Sequence, residues 1–320
     1  MVETMKSKLI SLIGNPVKSD KNSFIRKARM LQGWYRAFVL GLVQGIGPGE
    51  KENSRNKHRP NMIPKDTDEN VPNHNFLNEE IRLYVKKRMD NKRIDETLEP
   101  YRLCYNMLSS QPLAFNLFVP LAIDKNLALA TKVFRKIFPD KIKKVTKITF
   151  EFAPEPKEDY LDDRTAFDVF VEYLDISGTK SFIAIEVKYT ETFSPKEYEC
   201  KIYKDFTISE NSPFRGSVNE LKKSKFNQLW RNTLLAYSML EHENKKYSNA
   251  TIMLVYMKED EGVNEIIPSF SSYLKNSDEW FQAVDIRELI NLIKSCGLNL
   301  EQQKWIEDFS LRYLRFDMVV

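Results

Sequence analysis

Residues Thr165 to Glu191 hold two short apolar runs, TAFDVFVEY and FIAIEVKYTE, interrupted by charges at fixed positions. Strand side chains alternate between faces with a period of two. Asp168 therefore stands in the first strand-like run, while Glu186 and Lys188 project from one face of the second and Ile185 and Val187 from the other. Any one of these charges alone reads as a surface group on a half-exposed strand. Two carboxylates and an ammonium in adjacent apolar strands form a candidate metal-dependent phosphodiester-hydrolysing site, because such chemistry needs a held cation, an activated water and charge stabilisation.

The surrounding pattern is α/β. Val145 to Ala153, Ala166 to Leu174 and Ser181 to Tyr189 read as three β segments, with Asp175, Ser177 and Gly178 turning the last two. Helical patterning is expected over Asn22–Gly45, Phe76–Met89, Leu98–Phe118, Leu121–Phe138, Val218–Glu241, Ile286–Lys294 and Glu301–Leu311, with a buried strand over Ala250–Met257. Gly45, Gly47, Pro48 and Gly49 are expected to end the first helix, and Pro120 to close or kink the third. Pro112 marks a point where the third helix splits in two on a second reading. Residues 50–75 carry few apolar anchors and read as an exposed loop or strap. An alternative reading makes that segment a DNA-contacting arm through Lys51, Arg55, Lys57, Arg59 and Lys65. The expected division is a helical segment over 1–47, a polar linker over 48–75 and a catalytic domain over 76–320.

These motifs resemble the PD-(D/E)xK, or restriction-endonuclease-like, nuclease superfamily. Asp168 stands for its aspartate, Glu186 for its second acid and Lys188 for its lysine, with Phe167 where the name motif has proline. More narrowly the chain resembles a bacterial group of restriction endonucleases, through Ala28-Arg29, Tyr35-Arg36, LSSQPLAFNLFVPLA from Leu108, TAFDVFVEY, IEVKYTE and QLWRN from Gln228. The resemblance implies a mixed central sheet flanked by helices, here with a helical N-terminal extension. It also implies endonucleolytic cleavage of double-stranded DNA in a restriction or defence setting. Two other readings stay open: a structure-selective or single-strand DNA or RNA nuclease, and a catalytically inactive nucleic-acid-binding or partner-recruiting protein.

Asp168 and Glu186 are hard oxygen ligands suited to Mg²⁺, with Mn²⁺ as an alternative. By the resemblance, the Val187 carbonyl adds a third ligand and Gln228 faces the active site from a helix. Lys188 is suited to hold the attacking water or to stabilise charge on the phosphate. Gln111, Glu172, Glu191 and Arg231 are candidates for substrate or supporting contacts. Glu172 shares the strand parity of Asp168, but four strand residues span about 13 Å, so a peripheral role is expected. Glu151 in the preceding strand is a further neighbour with generic support.

Lys and Arg number 49 against 45 Asp and Glu, a net charge of +4 that does not by itself announce a nucleic-acid binder. The clearest basic cluster runs from Arg135 to Lys147, either a solvated connector or a phosphate-contacting surface. Cys104, Cys200 and Cys296 lack zinc or disulfide spacing, the three histidines form no HExxH motif, and no GxxxxGK[ST] loop occurs. No apolar run approaches the roughly 18 residues of a membrane span. A reducing cytoplasm is the expected location. A homodimer or a defence-system partner is compatible with a lone site that must cut two strands.

Overall fold

The computed structural model describes residues 2–18, 20–47, 58–65, 73–93, 96, 98–191, 193 and 196–319. The chain forms two compact units. One comprises Met1–Lys92, Leu98–Leu117 and Leu298–Val320, and the other Arg93–Thr97 and Phe118–Gly297.

The first unit contains α1 (Val2–Ile13), α2 (Ser23–Trp34), a two-residue antiparallel pair β1 (Gly45–Ile46) and β2 (His58–Arg59), α3 (Glu79–Asp90), α4 (Pro100–Tyr105), the start of α5 (Ser110–Ile123) and a helix over Leu300–Tyr313. Asn22 caps α2 by accepting the Ile25 N–H at 2.8 Å. The helix passes into a π-turn at Tyr35–Val39 and stops before Gly41, whose φ of +68° suits glycine. The expected helix to Gly45 is thus too long. Gly45 serves instead in β1, where an added Cβ would lie 2.3 Å from the Ile63 carbonyl oxygen. Of the basic residues in the proposed arm, Lys51, Arg55 and Lys57 lie outside the described residues. Arg59 stands in β2, and Lys65 Nζ lies 5.8 Å over the Tyr101 ring.

Arginines staple this unit internally. Arg29 pairs with Asp20 at 2.7 Å, Arg36 donates to the Pro60 carbonyl at 2.8 Å, and Arg312 donates to the Asn75 carbonyl at 2.9 Å. All three are buried, so each guanidinium needs these acceptors. The expected helix from Leu98 to Phe118 is two helices, broken at Asn106, whose side chain accepts the Leu108 N–H at 3.1 Å. Pro112 sits in the first turn of α5, where no N–H is missed. Pro120 lies inside α5 and does not end it. Proline frees the carbonyl four residues earlier, and that carbonyl, of Asn116, accepts the Trp305 indole N–H at 2.8 Å.

In the second unit, α6 (Ala128–Ile137) leads into a five-stranded mixed sheet: β3 (Ile142–Phe152), β4 (Phe167–Asp175), β5 (Lys180–Val187), β6 (Ala250–Tyr256) and β7 (Phe281–Asp285), in that spatial order. β3, β4 and β5 run antiparallel, and β6 and β7 run parallel to β5. The β4–β5 hairpin closes on Asp175, which accepts the Thr179 N–H at 2.9 Å, and on Gly178 at φ +88°. Exposed Lys143, Lys144 and Lys147 of the basic cluster line edge strand β3, a placement that discourages pairing with another sheet.

A parallel neighbour requires a long crossover. Here it runs through α7 (Lys201–Ile208), α8 (Val218–Leu221) and α9 (Ser224–Glu241). The expected single helix over Val218–Glu241 is broken because Lys223 is extended, with ψ 141°. α9 buries Leu229, Trp230, Leu234 and Leu235 in one core with Phe167, Phe170 and Phe182 of the sheet. The same helix carries Asn227, Gln228, Arg231 and Asn232, of which Asn227 and Asn232 are also buried. α10 (Glu261–Ser272) and α11 (Ser277–Trp280) connect β6 to β7, and α12 (Ile286–Lys294) follows. α7, α10 and β7 are elements the sequence patterning did not identify.

Candidate active site

The hydrogen-bonded ladder of β4 and β5 ends at the pair Val169–Ile185, so Asp168 and Glu186 stand next to each other just past it. The Val187 N–H donates to Asp168 Oδ2 at 2.7 Å, which ties the aspartate to the end of β5. On the other side, β3 pairs Phe150 with Val169 and Phe152 with Phe167, leaving Glu151 opposite Asp168. Three acids from three consecutive strands thus form a row. Glu151 has a φ of +48°, and Phe150 and Glu151 are both buried, so strict alternation fails there. A non-glycine residue in the left-handed region carries strain of roughly 1–3 kcal/mol. Burial, followed by the charges of Glu186 and Glu151, holds the Asp168 carboxyl well above the ordinary carboxylate range, against the opposing pull of Lys188 and the Val187 N–H.

Lys188, 6% exposed, lies one residue beyond β5. Its Nζ is 2.9 Å from Glu186 Oε1 and donates to Gln228 Oε1 at 2.8 Å. Gln228 Nε2 donates in turn to Glu186 Oε1 at 2.6 Å. The amide therefore bridges ammonium and carboxylate, and its orientation follows from that chain of donors. One turn further along α9, Asn232 Nδ2 donates to Glu186 Oε2 at 2.9 Å. The lysine also lies 5.0 Å over the Phe193 ring. Burial disfavours the ammonium, but the Glu186 and Asp168 charges outweigh it and raise the Lys188 pKa.

Residues 18–315 of the 320 match the family described as the PD-(D/E)XK nuclease superfamily. The chain belongs to that superfamily. No curated protein matches it. The observed mixed sheet with flanking helices is consistent with the restriction-endonuclease-like fold.

Nucleases of this superfamily typically use divalent cations. The donor set at the row of acids fits one: two adjacent carboxylates, with the charges of Glu186 and Glu151 raising the Asp168 pKa. Mg²⁺ is commonly held by one or two carboxylates plus substrate oxygens rather than by an all-protein cage. Among the described residues, no group of three or more His, Cys, Asp or Glu is arranged to hold a metal ion, so the fit rests on Asp168 and Glu186.

The other sequence candidates of the nuclease separate. Glu172, on β4, accepts the Tyr247 hydroxyl at 2.7 Å and is 3.9 Å from Lys246 Nζ, so its partners lie in the loop before β6. Glu191 acts on Lys188 through its charge. Arg231 donates to Asp163 at 2.9 Å, Thr165 at 2.6 Å and Tyr203 at 3.2 Å, and stacks 4.4 Å from the Tyr198 ring. It anchors the chain that leads into β4. Gln111 is in the first unit, where its side-chain oxygen accepts the Glu99 N–H at 3.4 Å. Asn232 was given no role by the sequence. The signals for it were its place at the end of the QLWRN motif and its position four residues after Gln228, on the same helix face. A cavity of about 370 Å³ adjoins Glu151, Asp163, Arg164 and Lys157.

Proposed function

We propose that this chain is an endonuclease that hydrolyses phosphodiester bonds of double-stranded DNA with Mg²⁺, or Mn²⁺ in its place, in a restriction or defence setting. The observation that carries the reading is the meeting of three charges at the ends of β4 and β5: Asp168 is tied to β5 by the Val187 N–H, and Glu186 and Lys188 beside it are bridged by Gln228. Asp168, Glu186 and the Val187 carbonyl would hold the cation. Bound there, the cation would supply charge against the phosphate and lower the pKa of an attacking water. Lys188 places a positive charge on the same side, where it can stabilise the phosphate as negative charge builds. Gln228 keeps the lysine and Glu186 in register. Cleavage of both strands then follows from two copies acting together or from successive cuts.

The division into a helical segment over 1–47, a linker over 48–75 and a nuclease domain over 76–320 belongs to the same proposal. So does residence in the cytoplasm, with which one observation is compatible: no single helix among the described residues is long and apolar enough to cross a membrane. The test is incubation of the purified chain with supercoiled plasmid, linear duplex, single-stranded DNA and RNA, each with Mg²⁺, Mn²⁺ or EDTA. Cleavage of both duplex forms with either cation and none with EDTA is expected. Cleavage confined to single strands or RNA would transfer the substrate to that class. Binding without cleavage of any of the four would replace the enzyme reading with a nucleic-acid-binding one.

A further inference from the structure

We propose that Asn232 is a positioning residue for the Glu186 carboxylate, setting the orientation in which it meets a divalent cation; the inference rests on the nuclease reading above. Glu186 is 2% exposed and Asn232 3%, so water does not substitute for the hydrogen bond between them. The two Glu186 oxygens are held separately. Oε1 receives Gln228 Nε2 at 2.6 Å and Lys188 Nζ at 2.9 Å, whereas Oε2 receives Asn232 Nδ2 at 2.9 Å. With donors on Oε1 alone, the carboxylate is free to turn about its terminal bond and bring Oε2 towards the ammonium. The asparagine removes that freedom. Each oxygen has two lone-pair directions, so one amide donor on Oε2 still leaves room for a cation.

The clamp works because α9 itself is fixed. Asn227 Nδ2 donates to the Tyr198 carbonyl at 2.9 Å and to the Lys222 carbonyl at 3.1 Å, Arg231 holds Asp163, and Trp230 is fully buried with its indole N–H on Thr207 at 3.0 Å. Gln228 and Asn232 therefore reach Glu186 from a rigid helix rather than a loop, the arrangement that keeps a ligand carboxylate in place. Gln228 also touches Lys188, so its replacement perturbs two groups at once. Asn232 gives the cleaner perturbation.

The experiment is calorimetric titration of Mn²⁺ into the DNA-free full chain, for wild type, Asn232→Ala and Asn232→Leu, with circular dichroism to establish folding. Loss of a supporting hydrogen bond to a metal ligand commonly weakens metal affinity by about 10–100-fold. Both variants are expected to fall in that range. Leucine restores side-chain volume without a donor, so recovery by Asn232→Leu would mean that the residue only fills space and would overturn the proposal. Asn232→Ser retains a hydroxyl donor and is expected to lie between wild type and alanine; it is also the variant to use if either of the others unfolds. In cleavage, the variants should need more Mg²⁺ for half-maximal rate while KM for DNA stays unchanged. Wild-type Mn²⁺ affinity in a folded variant overturns the role of Asn232 alone. A wild type that binds neither Mn²⁺ nor Mg²⁺, alone or with an uncleavable phosphorothioate duplex present, overturns the metal-dependent reading, and this inference with it.

Discussion

Replacing Arg231 with leucine should destabilise the unit that carries the row of acids by about 2 kcal/mol. The guanidinium joins Asp163, Thr165 and Tyr203, and its closest contact to Asp163 is 2.9 Å. Removing one partner of a fully buried ion pair costs about 3–5 kcal/mol. The Arg231 and Asp163 side chains are 16% and 21% exposed, so water can partly resolvate the abandoned carboxylate. The lower figure of about 2 kcal/mol follows, and for a unit of this size it corresponds to a fall of roughly 4–8 °C in Tm. The assay is thermal unfolding of Arg231→Leu, Asp163→Asn and the double variant. A coupling energy of about 1–2 kcal/mol is expected from the cycle.

The same experiment has a pH signature. Burial raises the Asp163 pKa, but the Tyr203 hydroxyl, the Arg231 charge and Thr165 together bring it below the ordinary value. A carboxylate depressed in the folded state contributes its stability above the unfolded pKa, about 3.9 for aspartate. That contribution is lost as pH falls through the folded value. The gap between wild type and Arg231→Leu should therefore be full at neutral pH and shrink below about pH 4. Equal Tm values at pH 7, or a gap that widens on acidification, would refute the idea that this network holds the approach to β4.

Two further outcomes are expected. Glu172→Gln should leave cleavage within about twofold of wild type, because Glu172 is engaged with Tyr247 and a glutamine oxygen can still accept that hydroxyl; a large loss in the cleavage assay would contradict its peripheral placement. In native protein at neutral pH, N-ethylmaleimide should label exposed Cys200 first, since Cys104 is buried with its thiol pushed up to about 12 and Cys296 is also buried and raised. Mass spectrometry of the labelled peptides checks the order, and prior labelling of Cys104 would contradict it.

The sheet was legible where its strands alternate or run continuously apolar. β3, β4, β5 and β6 fall within three residues of their expected limits. β7 escaped because five residues, FQAVD, directly between two helices carry no turn signal and little periodicity. The positions of the helix breaks escaped for another reason: the split expected at Pro112 falls at Asn106, where a side chain accepts a backbone N–H, and Lys223 breaks its helix by a backbone turn, neither of which apolar spacing encodes. At the candidate site, strand parity put Glu186 and Lys188 on one face, and the structure brings Asp168 and Gln228 to them. Asn232 was given no role of its own because QLWRN drew attention to Gln228 and Arg231, and only the folded helix shows that the next turn also reaches Glu186. Glu151 was named only as a neighbour with generic support, because its left-handed backbone breaks the alternation by which a strand residue's face is read.

The most direct measurement is plasmid cleavage by Asp168→Ala, Glu186→Ala and Lys188→Met beside wild type, with DNA binding measured on the same preparations. Each alanine removes a cation-holding carboxylate, and methionine keeps much of the lysine volume without its charge. Phosphate contacts that set affinity are distributed over other basic groups, so binding should persist. The account predicts Mg²⁺-dependent cleavage by wild type and its loss in all three folded variants, with DNA affinity retained. Cleavage at the wild-type rate by either carboxylate variant would contradict the central claim that the ends of β4 and β5 form the catalytic centre.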